Sequence, residues 1–184
     1  MRNVYSKLAL SFAVGAGLVF GAGGTAGTAH AVKKGGVLNF VVGSKIPSYD
    51  LHRETTFGVI HPIRPFYSLL IRINPDNPSS PTDFICDLCE GAVPKGTDGY
   101  KTYTFNIRKG VKFHNGQPLT AHDIVATYQK IIFPKKGVPS ARKAFFKMVD
   151  SVSASGDFKV VFKLKFPSGA FIPAVATPFN IVYS

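Results

Sequence analysis

The alternation of apolar and polar positions is cleanest in three stretches. Along residues 102–108, Tyr103, Phe105 and Ile107 alternate with Thr102, Thr104, Asn106 and Arg108, the period of a strand with one buried face. Along 158–166, Phe158, Val160, Phe162, Leu164 and Phe166 alternate with Lys159, Lys163 and Lys165, and Val161 is the one exception. Gly156-Asp157 just before it is placed to turn a hairpin with a strand at roughly 149–155. Between these stretches the period changes to that of a helix. Ile124, Tyr128, Ile131 and Ile132 make one apolar stripe. Thr120 followed by Asp123 resembles a capping box with Asp for the usual Glu, and the carboxylate suits the positive end of the helix dipole. Pro134 and Gly137 end the helix.

The remaining pattern is less regular. Residues 37–42 follow Gly35-Gly36 and read as a buried strand, and residues 43–56 read as a loop. Residues 57–73 are apolar but interrupted by Pro62 and Pro65, and a helix is expected to start near Pro65. Residues 74–82 and 93–101 are turn-rich. Val111-Lys112-Phe113 resumes a strand after Gly110, and Asn115-Gly116 turns the chain. Ser140 is placed to cap a second helix through about Met148. Residues 166–184 contain no charge and are broken by Pro167, Pro173 and Pro178. They read as the start of an element that needs a partner, so the chain looks cut short. The order of elements predicts a mixed α/β lobe.

The first 31 residues stand apart. Arg2 and Lys7 precede an apolar run from 8 to 20, too short to span a bilayer, and small residues lead to Ala29-His30-Ala31. This is the pattern of a cleavable signal peptide, with a mature chain beginning at Val32. No cysteine lies near the cleavage site, so export without a lipid anchor is expected, into an oxidising compartment.

Composition then narrows the function classes. The chain of 184 residues is 45% hydrophobic and 17% charged, which excludes disorder and allows one ordinary domain or two small ones. Two cysteines are too few for a disulfide scaffold. The formal net charge of +12 falls to +10 once Arg2 and Lys7 are removed with the signal peptide. Such a charge suggests nucleic acid first, but export and the dispersal of the basic residues, with no run longer than two, argue against that partner.

Candidate chemistry is sparse. Cys86-Asp87-Leu88-Cys89 is a C-x-x-C, which in an exported protein is either a redox dithiol or a pair of small, partly buried cysteines, bridged or not. The redox reading needs the pair at a helix start in a βαβ unit, and the surrounding sequence is turn-rich. Adding His114 and His122 gives C-x2-C-x24-H-x7-H, outside zinc-finger spacing, so no metal site is expected. There is no G-x-S-x-G, no H-E-x-x-H, no phosphate loop and no carboxylate pair placed for acid and base work. No catalytic residue and no cofactor are assigned.

The run from Tyr103 to Val125, with Arg108-Lys109-Gly110-Val111-Lys112-Phe113-His114-Asn115-Gly116 at its centre, resembles the signature of the family 5 extracellular solute-binding proteins. These are peptide- and nickel-type receptors of ABC importers. A Gly-x-Leu start at Gly36, Ser48-Tyr49-Asp50, Phe66-Tyr67-Ser68-Leu69-Leu70 and Asp98-Gly99 fit in order, so the resemblance covers nearly all of 35–184. It implies part of a two-lobe periplasmic-binding-protein fold (type II, cluster C-like), truncated here. Residues 36–61 would start the first lobe, 62–166 would be a small inserted α/β domain, and 167–184 would return to the first lobe. The resemblance also implies a non-enzymatic periplasmic receptor for a small peptide or similar solute, with an ABC importer permease of the inner membrane as partner. In such a receptor the loop after the first strand lines the cleft, which makes Tyr49, Asp50 and Arg53 the candidate ligand contacts. Two alternatives remain: an exported thiol–disulfide protein using Cys86 and Cys89, and a truncated receptor product without function.

Overall fold

A computed structural model describes residues 35–184, and the signal peptide and its cleavage site lie outside the described residues. The predicted central elements form where the patterns place them. Strand β3 (Thr102–Asn106) and strand β5 (Lys159–Leu164) pair antiparallel, with Tyr103 opposite Phe162 and Phe105 opposite Val160. Strand β4 (Val149–Ala154) pairs along the other side of β5, giving the order β3-β5-β4, with a bulge between Val149 and Ser151. Helix α2 (Ala121–Ile132) lies on this sheet and buries Ile124, Tyr128, Ile131 and Ile132. The Asp123 carboxylate accepts the Thr120 N–H (2.8 Å) and the Thr120 hydroxyl (2.9 Å) at its start. An apolar period of 2 meets one of 3.6, and the two faces close on each other.

The ring of Phe162 sits at the middle of this core, edge-on to Phe105, Tyr128 and Phe171 at centroid distances of 5.8, 5.0 and 5.3 Å. Burial of Tyr128 pushes its phenol well above the ordinary range, so its hydroxyl stays protonated and donates to the Val175 carbonyl (3.3 Å).

Several expectations are corrected. Residues 37–42 are not a strand and are largely exposed; no strand among the described residues pairs with them, and without a ladder partner their backbone groups are left to water. The helix near Pro65 comes earlier, as α1 (Phe57–Ile63) with Pro62 inside it, and Pro65 falls in a following 3-10 turn, Arg64–Phe66. A Cβ at Gly58 in α1 would displace the Ser44 hydroxyl, which packs against this glycine. A short hairpin not visible in the pattern joins strand β1 (Ile71–Ile73) to strand β2 (Phe84–Cys86). Val111 to Phe113 do not resume a strand; the segment makes a single bridge, Lys112 to Pro118, around the Asn115-Gly116 turn. Ser140 does not begin a helix. Its hydroxyl donates to the Ile131 carbonyl (2.6 Å) at the end of α2, and only a 3-10 turn, Lys143–Phe146, follows.

The tail, read as an element in need of a partner, has partners. Phe166 is exposed, but Phe171, Val175 and Ile181 are fully buried, Phe171 and Val175 in the short helix α3 (Phe171–Val175) and Ile181 beyond it. The apolar tail finds partners within residues 40–184, which form one compact unit. Two apolar clusters result. The larger joins the sheet, α2 and α3. The smaller contains Leu51, Val59, Ile60, Ile63, Leu69 and Ile181.

Candidate functional site

The candidate contacts Tyr49, Asp50 and Arg53 fall at one turn on the rim of the smaller cluster. The Asp50 carbonyl accepts the N–H groups of Arg53 (3.2 Å) and Glu54 (3.1 Å), while the Asp50 carboxylate takes the His52 N–H (3.0 Å). A short polar side chain closing the turn this way is the reason an aspartate fits here. The turn faces Lys130 of α2, whose ammonium donates to Asp50 Oδ2 at 3.1 Å. Burial raises the Asp50 pKa, but the bond to Lys130, its charge and the His52 N–H outweigh that and hold the carboxyl below its ordinary range.

The three candidates therefore differ in state. Asp50 is engaged in an ion pair. Tyr49 is 74% exposed, and its carbonyl accepts the Tyr183 hydroxyl (3.0 Å). Arg53 is exposed. Sequence reasoning missed the residues that hold the turn. Tyr183 accepts the Leu51 N–H (3.1 Å) while donating to Tyr49. His52 is 1% exposed and bonds the Ile181 carbonyl through Nε2 (2.8 Å). A carbonyl only accepts, so the proton sits on Nε2, and Nδ1 has no partner among the described residues. Burial, followed in smaller measure by the nearby Lys130 charge, lowers the His52 pKa, and the ring is neutral. Beside it lies an open groove of about 440 Å³ lined by His52, Asp123, Thr127, Lys130 and Tyr183. The rings of His52, Tyr183, Tyr67 and His114 follow one another edge-on at 4.9, 5.4 and 5.4 Å. The groove carries one cation, Lys130, held by Asp50, and the Asp123 carboxylate that caps α2, while Tyr49, Asp50 and Arg53 lie outside its lining. No signal in the sequence pointed to Lys130 or Tyr183, which lie far along the chain from the turn they hold.

The structure separates the residues of the zinc pattern. Cys86 and Cys89 form a disulfide. Cys89 is buried and bridges β-fashion to Ile107, so any thiol attack would have to come at Cys86. His114 packs against Tyr67, and His122 lies 3.6 Å from Asp157 on the surface. Among the described residues no group of three or more His, Cys, Asp or Glu side chains comes together.

The fold is the mixed α/β fold found within two-lobe binding proteins. The structure of the oligopeptide-binding protein AppA from Bacillus subtilis in complex with a nonapeptide superposes with a TM-score of 0.62 and 29% identity, covering 74% of this chain and 25% of that one. A dipeptide-binding protein from Pseudoalteromonas sp. SM9913 in complex with Met-Leu gives 0.63 at 24% identity, covering 75% of this chain and 29% of that one. In sequence, AppA from Bacillus subtilis (strain 168) is 43% identical over 77 residues, 42% of this chain. The sequence pattern of the bacterial extracellular solute-binding proteins, family 5 Middle, matches residues 87–184, just over half of the chain, and the chain belongs to this family. The match to AppA spans 14% of that relative's length.

Proposed function

We propose that these residues are the N-terminal part of a periplasmic receptor that captures peptides or similar small solutes for an ABC importer. The family match over residues 87–184 carries this reading. The names of its relatives support the solute class, since those proteins bind oligopeptides and dipeptides. The receptor binds and releases its solute unchanged and delivers it to a membrane permease, after export by a cleaved signal peptide. In the domain reading, residues 36–61 and 167–184 belong to the first lobe and 62–166 to an inserted domain. Leu51 and Val59 packing with Ile181 speaks for it, whereas Ile63 and Leu69 in the same cluster, and Phe171 and Val175 in the larger one, cross those bounds.

At the site, Arg53 is proposed to take the solute carboxylate and Tyr49 to stack on the peptide, while Asp50, held by Lys130, fixes the turn that presents them. The test is titration calorimetry and thermal shift on the whole exported receptor with di- to nonapeptides. Saturable stabilisation is expected, with affinity lowered about tenfold by Arg53→Ala. No stabilisation by any peptide would sink the receptor reading. Peptide binding that Arg53→Ala and Tyr49→Ala leave unchanged would sink the assignment of the loop alone.

A further inference from the structure

The C-x-x-C is a motif that the receptor reading leaves unused, and the fold gives it a definite place. Cys86 ends β2, opposite Ile71 of β1, and Cys89 bridges to Ile107 just beyond β3. The disulfide between them therefore closes the loop that joins the β1–β2 hairpin to the three-stranded sheet. The same loop lies where the two apolar clusters adjoin: Leu69 belongs to the smaller, and Leu70, Leu88 and Cys89 belong to the larger. Its backbone is bonded on both sides. The Asp87 N–H donates to the Leu70 carbonyl (3.2 Å) and the Leu88 N–H to the Leu69 carbonyl (2.9 Å), while the Leu88 carbonyl accepts the Arg108 N–H (2.9 Å).

Asp87 stands inside the bridged loop. Its Oδ2 accepts the Leu69 N–H (2.8 Å) and lies 3.7 Å from an Arg64 guanidinium nitrogen, and its Oδ1 lies 3.9 Å from Arg72 Nε. One carboxylate thus gathers two guanidinium groups and one backbone donor from residues 64–72. Arg64 in turn donates to the Tyr67 carbonyl, and the Tyr67 ring packs edge-on against Tyr183, which holds the turn at Tyr49 and Leu51. Charge-assisted bonds hold only while donor and acceptor keep their places. The covalent bridge keeps Asp87 in place by denying residues 87–88 the backbone freedom of an ordinary loop.

We propose that the Cys86–Cys89 bridge is a redox-operated clasp between the two clusters. Closed, it holds Asp87 against residues 64–72; opened, it releases that segment and loosens the smaller cluster while the sheet stays intact. The operating reaction is thiol–disulfide exchange with an external dithiol. A thiolate of the dithiol attacks Cys86 Sγ, the bond to Cys89 Sγ breaks, and Cys89 takes up a proton. The second thiol then resolves the mixed disulfide, leaving two cysteine thiols and the oxidised reductant. The clasp does not depend on the solute reading. It is tested by hydrogen exchange on the whole exported protein, oxidised, reduced with dithiothreitol, and as Cys86→Ser with Cys89→Ser. In both open forms the amides of Leu69, Leu88 and Val182, the last bonded to the Ser68 carbonyl, exchange at least about tenfold faster, and those of β3 and β5 stay within about twofold. Asp87→Ala with the bridge closed gives the same pattern. Opening the bridge in that variant then adds less than about twofold, because both changes act through one contact. Equal quickening in β5 overturns the proposal, since the bridge would then brace the whole unit. A full tenfold effect on top of Asp87→Ala overturns it as well, since the bridge would act without the carboxylate. So does a cysteine pair that stays oxidised in dithiothreitol while the protein is folded, because no dithiol would then operate it. If the serine variant does not fold, the reduced parent gives the same reading.

Discussion

The two apolar clusters are built on different principles. The larger is a sheet face against a helix face, and its residues are near neighbours in a regular lattice: Phe105, Phe162 and Tyr128 meet because strand and helix periods bring them there. The smaller draws on segments more than 100 residues apart, Leu51 and Ile181, with no strand pairing between them. It is tied instead by individual polar bonds: His52 to Ile181, Tyr183 to Leu51 and Tyr49, and Val182 to Ser68 at 3.1 Å. A lattice loses stability by the volume removed from it. A cluster pinned by single bonds loses it one pin at a time, and opens locally before the whole unit unfolds.

The largest expected effect lies in the lattice. Phe162→Ala removes the ring that Phe105, Tyr128 and Phe171 all touch, and should cost about 3–5 kcal/mol. Urea unfolding measures it. A loss near that of an exposed Phe would mean that the sheet and helix do not close on this ring.

Leu51→Ala in the smaller cluster should cost about 2–3 kcal/mol, with part of the loss confined to the cluster. Hydrogen exchange should quicken at the amides of Leu51, His52 and Val182, each bonded across the cluster or at its turn, while β3 and β5 keep their protection. Equal loss of protection in β5 would show that the two clusters unfold as one and would erase the distinction.

This contrast also explains what was legible in the sequence. Strands β3, β4 and β5, the stripe of α2 and the Thr120–Asp123 cap each rest on a local period or a fixed spacing, and all of them formed. The candidate turn could be located only through the family resemblance. The Lys130 bond to Asp50 and the Tyr183 bonds to Tyr49 and Leu51 join residues 80 to 134 apart, and no spacing rule reaches so far. The strand expected at 37–42 was a period without a partner, and the tail at 166–184 had partners its sequence did not display. The cap offers a smaller test of the local rules. Asp123→Ala frees the Thr120 N–H and should lower stability by about 1 kcal/mol, read by thermal unfolding. No change would mean that water replaces the carboxylate without loss.

The smallest effect isolates one pin of the smaller cluster by its pH dependence. His52 is neutral when folded, with burial holding its pKa below the ordinary 6.5, and Lys130, Asp50 and Tyr183 are the polar groups around it. The unfolded chain binds the proton first as pH falls. Stability from this residue is therefore complete above 6.5 and is lost as pH falls from there toward the lower folded value. Between about pH 7 and pH 6 the loss is at most about 0.7 kcal/mol, because an unfolded histidine of pKa 6.5 binds on average about half a proton across that interval. His52→Gln can keep the bond to the Ile181 carbonyl and carries no titrating ring, so its stability should vary less over that interval than the parent's. Urea midpoints of both proteins at the two pH values measure the difference. Parallel pH curves would mean that His52 opens to water in the folded state, and the smaller cluster would then rest on Tyr183 and its apolar contacts alone.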